Sequence, residues 1–124
     1  MREVIKFPQD SALALSAIAR HVYRVSQISG FHENDEDLEK GRFGDFCANL
    51  HGEVSELWEA YRKGTLKKKC DKPIPLSCAA EELADIIIRL MDTAVTLGID
   101  IGEAIKIKDE YNQTRPYKHG DKKA

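Results

Sequence analysis

The sequence lacks several features that define other classes of protein. Its 19 Lys and Arg face 21 Asp and Glu, so the net charge of −2 gives no overall positive field for holding a nucleic-acid polymer. No apolar run approaches the roughly 18 residues that span a membrane, and the N-terminal residues lack the apolar segment of a signal peptide. The 3 cysteines are far apart, and no C-x-x-C pair suggests a zinc site or a disulfide framework. We therefore expect a cytoplasmic protein that binds neither membranes nor nucleic-acid polymers.

The apolar residues that are present, 42% of the chain, recur with the period of helices rather than strands. The length of 124 residues predicts a single domain over 1–124, in which 118–124 form a mobile tail. Glycine and proline divide the chain into four helical stretches at about 10–29, 43–63, 77–97 and 101–114. Gly30, Gly64 and Gly98 follow the first three stretches. The predicted fold class is all-α, a bundle of four main helices.

The third stretch carries the main chemical signal. Apolar residues cover almost its whole circumference, so we expect it to be buried, yet Glu82 and Asp85 lie one turn apart on one of its faces. A buried carboxylate without a partner costs several kcal/mol, so a compensating cation is required. Glu53 and Glu56 form a similar pair in the second stretch. If the two stretches pack antiparallel, the four carboxylates converge, and such oxygen ligands favour Mg²⁺, with Mn²⁺ second.

Other interpretations of these acids stay open. A pair such as Glu53 and Glu56 is also typical of a solvated helix face, and Arg89 gives Asp85 a structural partner four residues away. Arg89 has two further possible partners, a phosphate group and Asp92. A di-iron carboxylate bundle is disfavoured because such sites need a His three residues after a Glu, a spacing that this sequence lacks.

The paired acidic motifs resemble those of the all-α nucleotide pyrophosphohydrolases of the MazG type. That superfamily includes the dimeric dUTPases, the dCTP pyrophosphatases and phosphoribosyl-ATP pyrophosphohydrolase. The segments that carry the resemblance are GEVSELWEA at 52–60, EELADII at 81–87, and the pattern K-x-x-x-N-x-x-R-P-Y-K-H-G at 108–120. The resemblance implies Mg²⁺-dependent hydrolysis of a nucleoside triphosphate between its α and β phosphates, which gives a monophosphate and pyrophosphate.

The resemblance also assigns roles to residues. It implies that the metal ligands and catalytic residues are Glu53, Glu56, Glu82 and Asp85. The metal would neutralise the phosphates and help to generate hydroxide, unless one carboxylate is instead the general base. The implied substrate-binding residues are Lys63, Arg89, Lys108, Asn112, Arg115 and Tyr117. Lys63 and Arg89 stand where the dCTP-type branch has aromatic residues that stack on the base, so no base preference follows.

Association of the chain is a further expectation. A chain of 124 residues with a carboxylate-lined cleft has a limited core. The resemblance implies a homodimer or homotetramer, and Trp58 is expected to pack in the core or at an interface. The alternative function is that of a non-catalytic helical interaction or regulatory protein that retains the fold.

Overall fold

The computed structural model describes residues 3–33 and 42–116 of the chain. The helices in these ranges are α1 (Ser11–Ile28), α2 (Arg42–Arg62), α3 (Cys78–Thr96) and α4 (Ile101–Gln113). The described part of the chain contains no strand, only a single β-bridge between Lys69 and Ser77 in the loop before α3. The prediction of an all-α bundle of four main helices is confirmed. None of the described helices combines the length and the apolarity needed to cross a bilayer.

The helix boundaries lie within a few residues of the predicted ones because local signals fix them. Gly30, Gly64 and Gly98 adopt positive φ angles of 91°, 70° and 73° just after the first three helices, a conformation that favours glycine. At the start of α3 the Ser77 hydroxyl accepts a hydrogen bond from the backbone N–H of Ala80 at 3.1 Å. This cap satisfies one of the backbone donors that a helix start leaves unpaired.

Helix α3 connects α1 and α2 in the fold. It packs against both of them, whereas α4 packs mainly against α1. The α1–α4 contact is closest at Gly102, whose N–H donates to Ser16 Oγ at 2.9 Å. Ser16 in turn donates to Asp100, the residue that caps α4. A Cβ at position 102 would lie 1.8 Å from the backbone oxygen of Ala12, so only glycine permits this approach.

A second set of contacts fixes the end of α1 on α3. Asp92 of α3 accepts a hydrogen bond from Ser26 Oγ at 3.1 Å, and its other oxygen lies 2.7 Å from His32 Nε2. The His32 side chain is 2% exposed, and its ring lies tilted against that of Tyr23, with the ring centres 4.4 Å apart. Asp92 is therefore occupied by partners from the first part of the chain.

The core of the single chain is small. The buried apolar residues of the described ranges are Ala19, Cys70, Met91 and Ala94. The prediction that α3 is buried all round is wrong for the isolated chain, because Leu83, Ile87 and Leu90 are 49%, 52% and 46% exposed. Helix α2 packs mainly against α3, and apolar residues of both helices stay exposed, among them Trp58 and Ile87.

Candidate metal centre

Three carboxylates from two helices meet where α2 packs on α3. Glu53 lies in the middle of α2, while Glu82 and Asp85 lie one turn apart in the first half of α3. One oxygen from each lies within 4.8 Å of the others, and all three residues are half-buried. Oxygen ligands around Mg²⁺, at about 2.1 Å from the ion, are separated by about 3 to 4.2 Å. The trio therefore needs only a small contraction to surround such an ion.

The fourth predicted carboxylate, Glu56, lies at the edge of this trio. It is exposed, and its carboxyl group approaches that of Glu82 closely enough to share a hydrogen bond when one is protonated. Glu53 contacts Arg89 in the second half of α3, whereas Glu56 lies beside Glu82 in its first half. Helices α2 and α3 therefore run antiparallel, as the convergence of the acids requires. The structure thus brings together all four predicted acids, three as a compact set and the fourth beside Glu82.

The electrostatics of the site show carboxylates crowded without enough positive charge. Burial, followed by the neighbouring Glu56, raises the pKa of Glu82 from 4.5 to about 7. Burial, followed by the charge of Glu53, also raises the pKa of Asp85. Glu53 Oε2 and Glu82 Oε2 are buried without a hydrogen-bond partner. Oxygen-only donors with buried, unpaired lone pairs fit a hard divalent cation.

Arg89 supplies positive charge to one member of the trio. Its Nε donates to Glu53 Oε1 at 2.8 Å, which links α3 to α2. Of the possible partners of Arg89, neither Asp85 nor Asp92 forms an ion pair with it in the described residues, because the packing of α2 brings Glu53 closer and Asp92 is held by other partners. Arg89 remains beside the acidic trio, 46% exposed at its side chain.

A second cation beside the site was not predicted. Lys72, in the loop between α2 and α3, forms an ion pair with Glu81, which is buried in the first turn of α3. The hydrogen bond from Lys72 holds the pKa of Glu81 below its usual value. The loop reaches this position because Cys78 N–H donates to Lys68 O at 2.7 Å, folding the chain back over the start of α3. A lysine in a proline-containing loop has no periodic signal that would reveal such a contact.

Two other predicted substrate-binding residues, Lys63 and Lys108, make contacts with residues outside the trio. Lys63 follows the end of α2, is exposed, and pairs with Glu59 at 4.0 Å. It lies seven residues beyond Glu56, or about 10 Å along a helix axis. Lys108 of α4 lies over the ring of Tyr111, with its Nζ 5.0 Å from the ring centre.

The remaining members of that set belong to the end of α4. Asn112 is half-buried and its Oδ1 has no hydrogen-bond partner. Arg115 lies just past α4, and Tyr117 lies outside the described residues, as do 118–124. Within 3–33 and 42–116, no hydrogen bond or ion pair joins Lys108 or Asn112 to the four acids. The role of these residues in substrate binding stays a prediction.

Comparisons with protein-family models, with curated proteins and with solved structures found nothing that matches this chain. The interpretation of the site depends instead on its own geometry and on the paired acidic motifs of α2 and α3.

Proposed function

We propose that the chain is a Mg²⁺-dependent nucleoside triphosphate pyrophosphohydrolase that cleaves a (d)NTP to a (d)NMP and pyrophosphate. The observation that carries this proposal is the half-buried trio of Glu53, Glu82 and Asp85, with oxygens within 4.8 Å of one another. Two of these acids have buried oxygens that lack a partner, so an ion there would relieve an electrostatic cost. The resemblance of the two acidic motifs to MazG-type enzymes supports the choice of substrate.

Each acid has a role in this proposal. Glu53, Glu82 and Asp85 would hold Mg²⁺, with Mn²⁺ as a substitute. When bound, the ion would neutralise phosphate charge and make a water molecule more acidic. Glu56, the exposed acid beside the trio, is suited to accept a proton from the attacking water as the α–β anhydride bond breaks. Arg89 is suited to hold a phosphate oxygen, because a guanidinium donates charge-assisted hydrogen bonds in a fixed geometry.

A homodimer or homotetramer is part of the proposal. Val54, Trp58 and Tyr61 are exposed on α2 at spacings of four and three residues, and the rings of Trp58 and Tyr61 stack at 5.4 Å. Leu83, Ile87 and Leu90 repeat this spacing on the antiparallel helix α3, and they are exposed too. These two sets of three residues form an exposed apolar stripe on each helix.

A second copy would cover these stripes. In this proposal, Lys108, Asn112 and Arg115 of a second chain would help to hold the phosphates. Sedimentation at micromolar concentration is expected to show a dimer or tetramer, and a monomer under these conditions would contradict this part of the proposal.

The proposed location is the cytoplasm, where thiols are reduced. All three cysteines, Cys47, Cys70 and Cys78, are free. Disulfides are rare in that compartment, so unpaired cysteines are expected there.

Pyrophosphate release from a panel of nucleotides tests the proposed activity. We expect the purified chain to release pyrophosphate and a monophosphate from at least one canonical, oxidised or methylated (d)NTP, and only when Mg²⁺ or Mn²⁺ is present. Glu53→Gln should abolish the release because it removes a ligand charge, whereas Glu59→Gln, on an exposed position of the same helix, should not. Release that survives Glu53→Gln or EDTA would refute the assignment, and a folded but inactive protein over the whole panel would favour the non-catalytic alternative.

A further inference from the structure

Arg89 stands as a counter-ion inside the acidic cluster. It follows Asp85 by four residues and Glu82 by seven, so all three share one face of α3. From that face it crosses to α2, where its Nε donates to Glu53 Oε1 at 2.8 Å. The Glu53 side chain is only 13% exposed, and its second oxygen is buried without a partner. The guanidinium therefore neutralises one of the three acids that would hold a cation.

The same contact opposes a divalent ion at Glu53. A guanidinium within hydrogen-bond distance of a carboxylate competes for its lone pairs and repels another cation nearby. Glu53 can coordinate the ion fully only if its hydrogen bond with Arg89 weakens. The Arg89 side chain is 46% exposed, so the guanidinium has open space into which it can turn without disturbing a packed core.

We propose that Arg89 is an exchangeable counter-ion, which occupies Glu53 until a metal–nucleotide complex arrives and then transfers to a phosphate oxygen. Arg89 thereby weakens the binding of the metal alone and makes metal and nucleotide bind cooperatively. This inference rests on the proposed function and deepens it, because it makes the charged triphosphate, rather than the ion by itself, the ligand that completes the site. Arg89 acts on the metal through Glu53 and is in that respect a positioning residue.

Lys72 provides a matched control at the other end of the cluster. It pairs with Glu81, which is not a member of the trio, and its side chain is 59% exposed. Lys72 and Arg89 both oppose the rise in the pKa of Asp85, so both charges act on the site over a distance. Removal of either positive charge changes the electrostatic potential at the site, but only removal of Arg89 breaks the hydrogen bond to Glu53.

Titration with Mn²⁺ alone, followed by the electron paramagnetic resonance of the free ion, tests the inference without any catalysis. Because an exposed ion pair contributes up to about 1 kcal/mol, Arg89→Gln should bind Mn²⁺ about fivefold more tightly than the wild type. Lys72→Gln should change the affinity less than about twofold. In a Glu53→Gln background, Arg89→Gln should have no further effect, since the two residues act as one unit.

A second titration includes a non-hydrolysable nucleotide with a methylene group between its α and β phosphates. The nucleotide should increase Mn²⁺ affinity more in the wild type than in Arg89→Gln, because only the wild type has a guanidinium to transfer. Unchanged or weaker Mn²⁺ binding by Arg89→Gln, or an equal gain with and without Glu53, would overturn the role of Arg89 alone. Absence of Mn²⁺ binding in both the wild type and Arg89→Gln would overturn the proposed function together with this inference.

Discussion

Replacing Glu82 by Gln is expected to stabilise the metal-free protein at pH 8. At this pH the carboxyl group is ionised, half-buried and close to Glu56, and its Oε2 has no hydrogen-bond partner. Gln has nearly the same shape, carries no charge, and has an amide N–H that can donate to Glu56. The substitution therefore removes the repulsion and part of the desolvation cost while keeping the packing.

The size and the pH window of the effect follow from the pKa of Glu82. Its rise from 4.5 to about 7 corresponds to at most about 3.4 kcal/mol, since one pKa unit is about 1.4 kcal/mol. Solvent reaches one side of the group, so we expect about 1 to 2 kcal/mol. The folded state holds the proton more tightly than the unfolded state, so the associated stability is present below about pH 4.5 and is lost as the pH rises to about 7.

Urea unfolding in EDTA at pH 5 and pH 8, at one protein concentration, measures this difference. The free energy of unfolding of the wild type should fall between pH 5 and pH 8, while that of Glu82→Gln should fall less. The two proteins should be similar at pH 5. The matched control is Glu59→Gln, on the exposed side of α2, which should change stability by less than about 0.5 kcal/mol at either pH.

Two results would contradict the claim that the ionised Glu82 carboxylate destabilises the metal-free protein. One is a loss of stability in Glu82→Gln at pH 8, which would mean that the carboxylate makes a favourable contact in the metal-free protein. The other is an equal gain at pH 5 and pH 8, which would mean that the gain does not come from the ionised form.

Two further substitutions test the packing. Gly102→Ala should destabilise the protein by about 2 kcal/mol or more in urea unfolding, because the new Cβ would meet the backbone oxygen of Ala12 at 1.8 Å. The control Gly44→Ala has open space around it and should be neutral or stabilising by up to about 1 kcal/mol. A small effect at position 102 would contradict the close approach of α1 and α4. Ile87→Glu should shift the sedimentation of the chain toward the monomer, because it places a charge on the exposed stripe of α3, whereas Leu13→Glu on α1 should not. Unchanged assembly of the Ile87 variant would place the interface elsewhere.

The limits of the helices could be predicted because their signals act over a single turn. The glycines after the first three helices adopt positive φ angles, and the Ser77 hydroxyl caps α3. The close approach at Gly102 could not be predicted, because it depends on where α1 lies against α4. A glycine near the start of a helix gives no sign of such a contact by itself.

The pairing of Glu82 with Asp85 could also be predicted, because a spacing of three residues fixes two acids on one helix face. The approach of Glu53 followed only from the expectation that α2 and α3 pack antiparallel. The partner of Arg89 could not be predicted from the sequence. Asp85 and Asp92 are its neighbours along α3, but the contact is with Glu53, 36 residues away. Helix periodicity says which residues share a face, but it does not say which face of a second helix comes to meet them.

The exposure of α3 could not be predicted for a different reason. Its apolar residues on nearly every side predict burial, and in the single chain Leu83, Ile87 and Leu90 remain exposed. A hydrophobic pattern cannot distinguish burial within one chain from burial against another. The same pattern supports the proposed association of two copies.

A crystal soaked in Mn²⁺ and measured at the manganese absorption edge would show whether the trio holds a metal ion. We expect an anomalous peak at about 2.2 Å from carboxylate oxygens of Glu53, Glu82 and Asp85. No peak at this trio in a crystal that binds Mn²⁺ elsewhere, or carboxylates turned away from one another toward solvent, would contradict it.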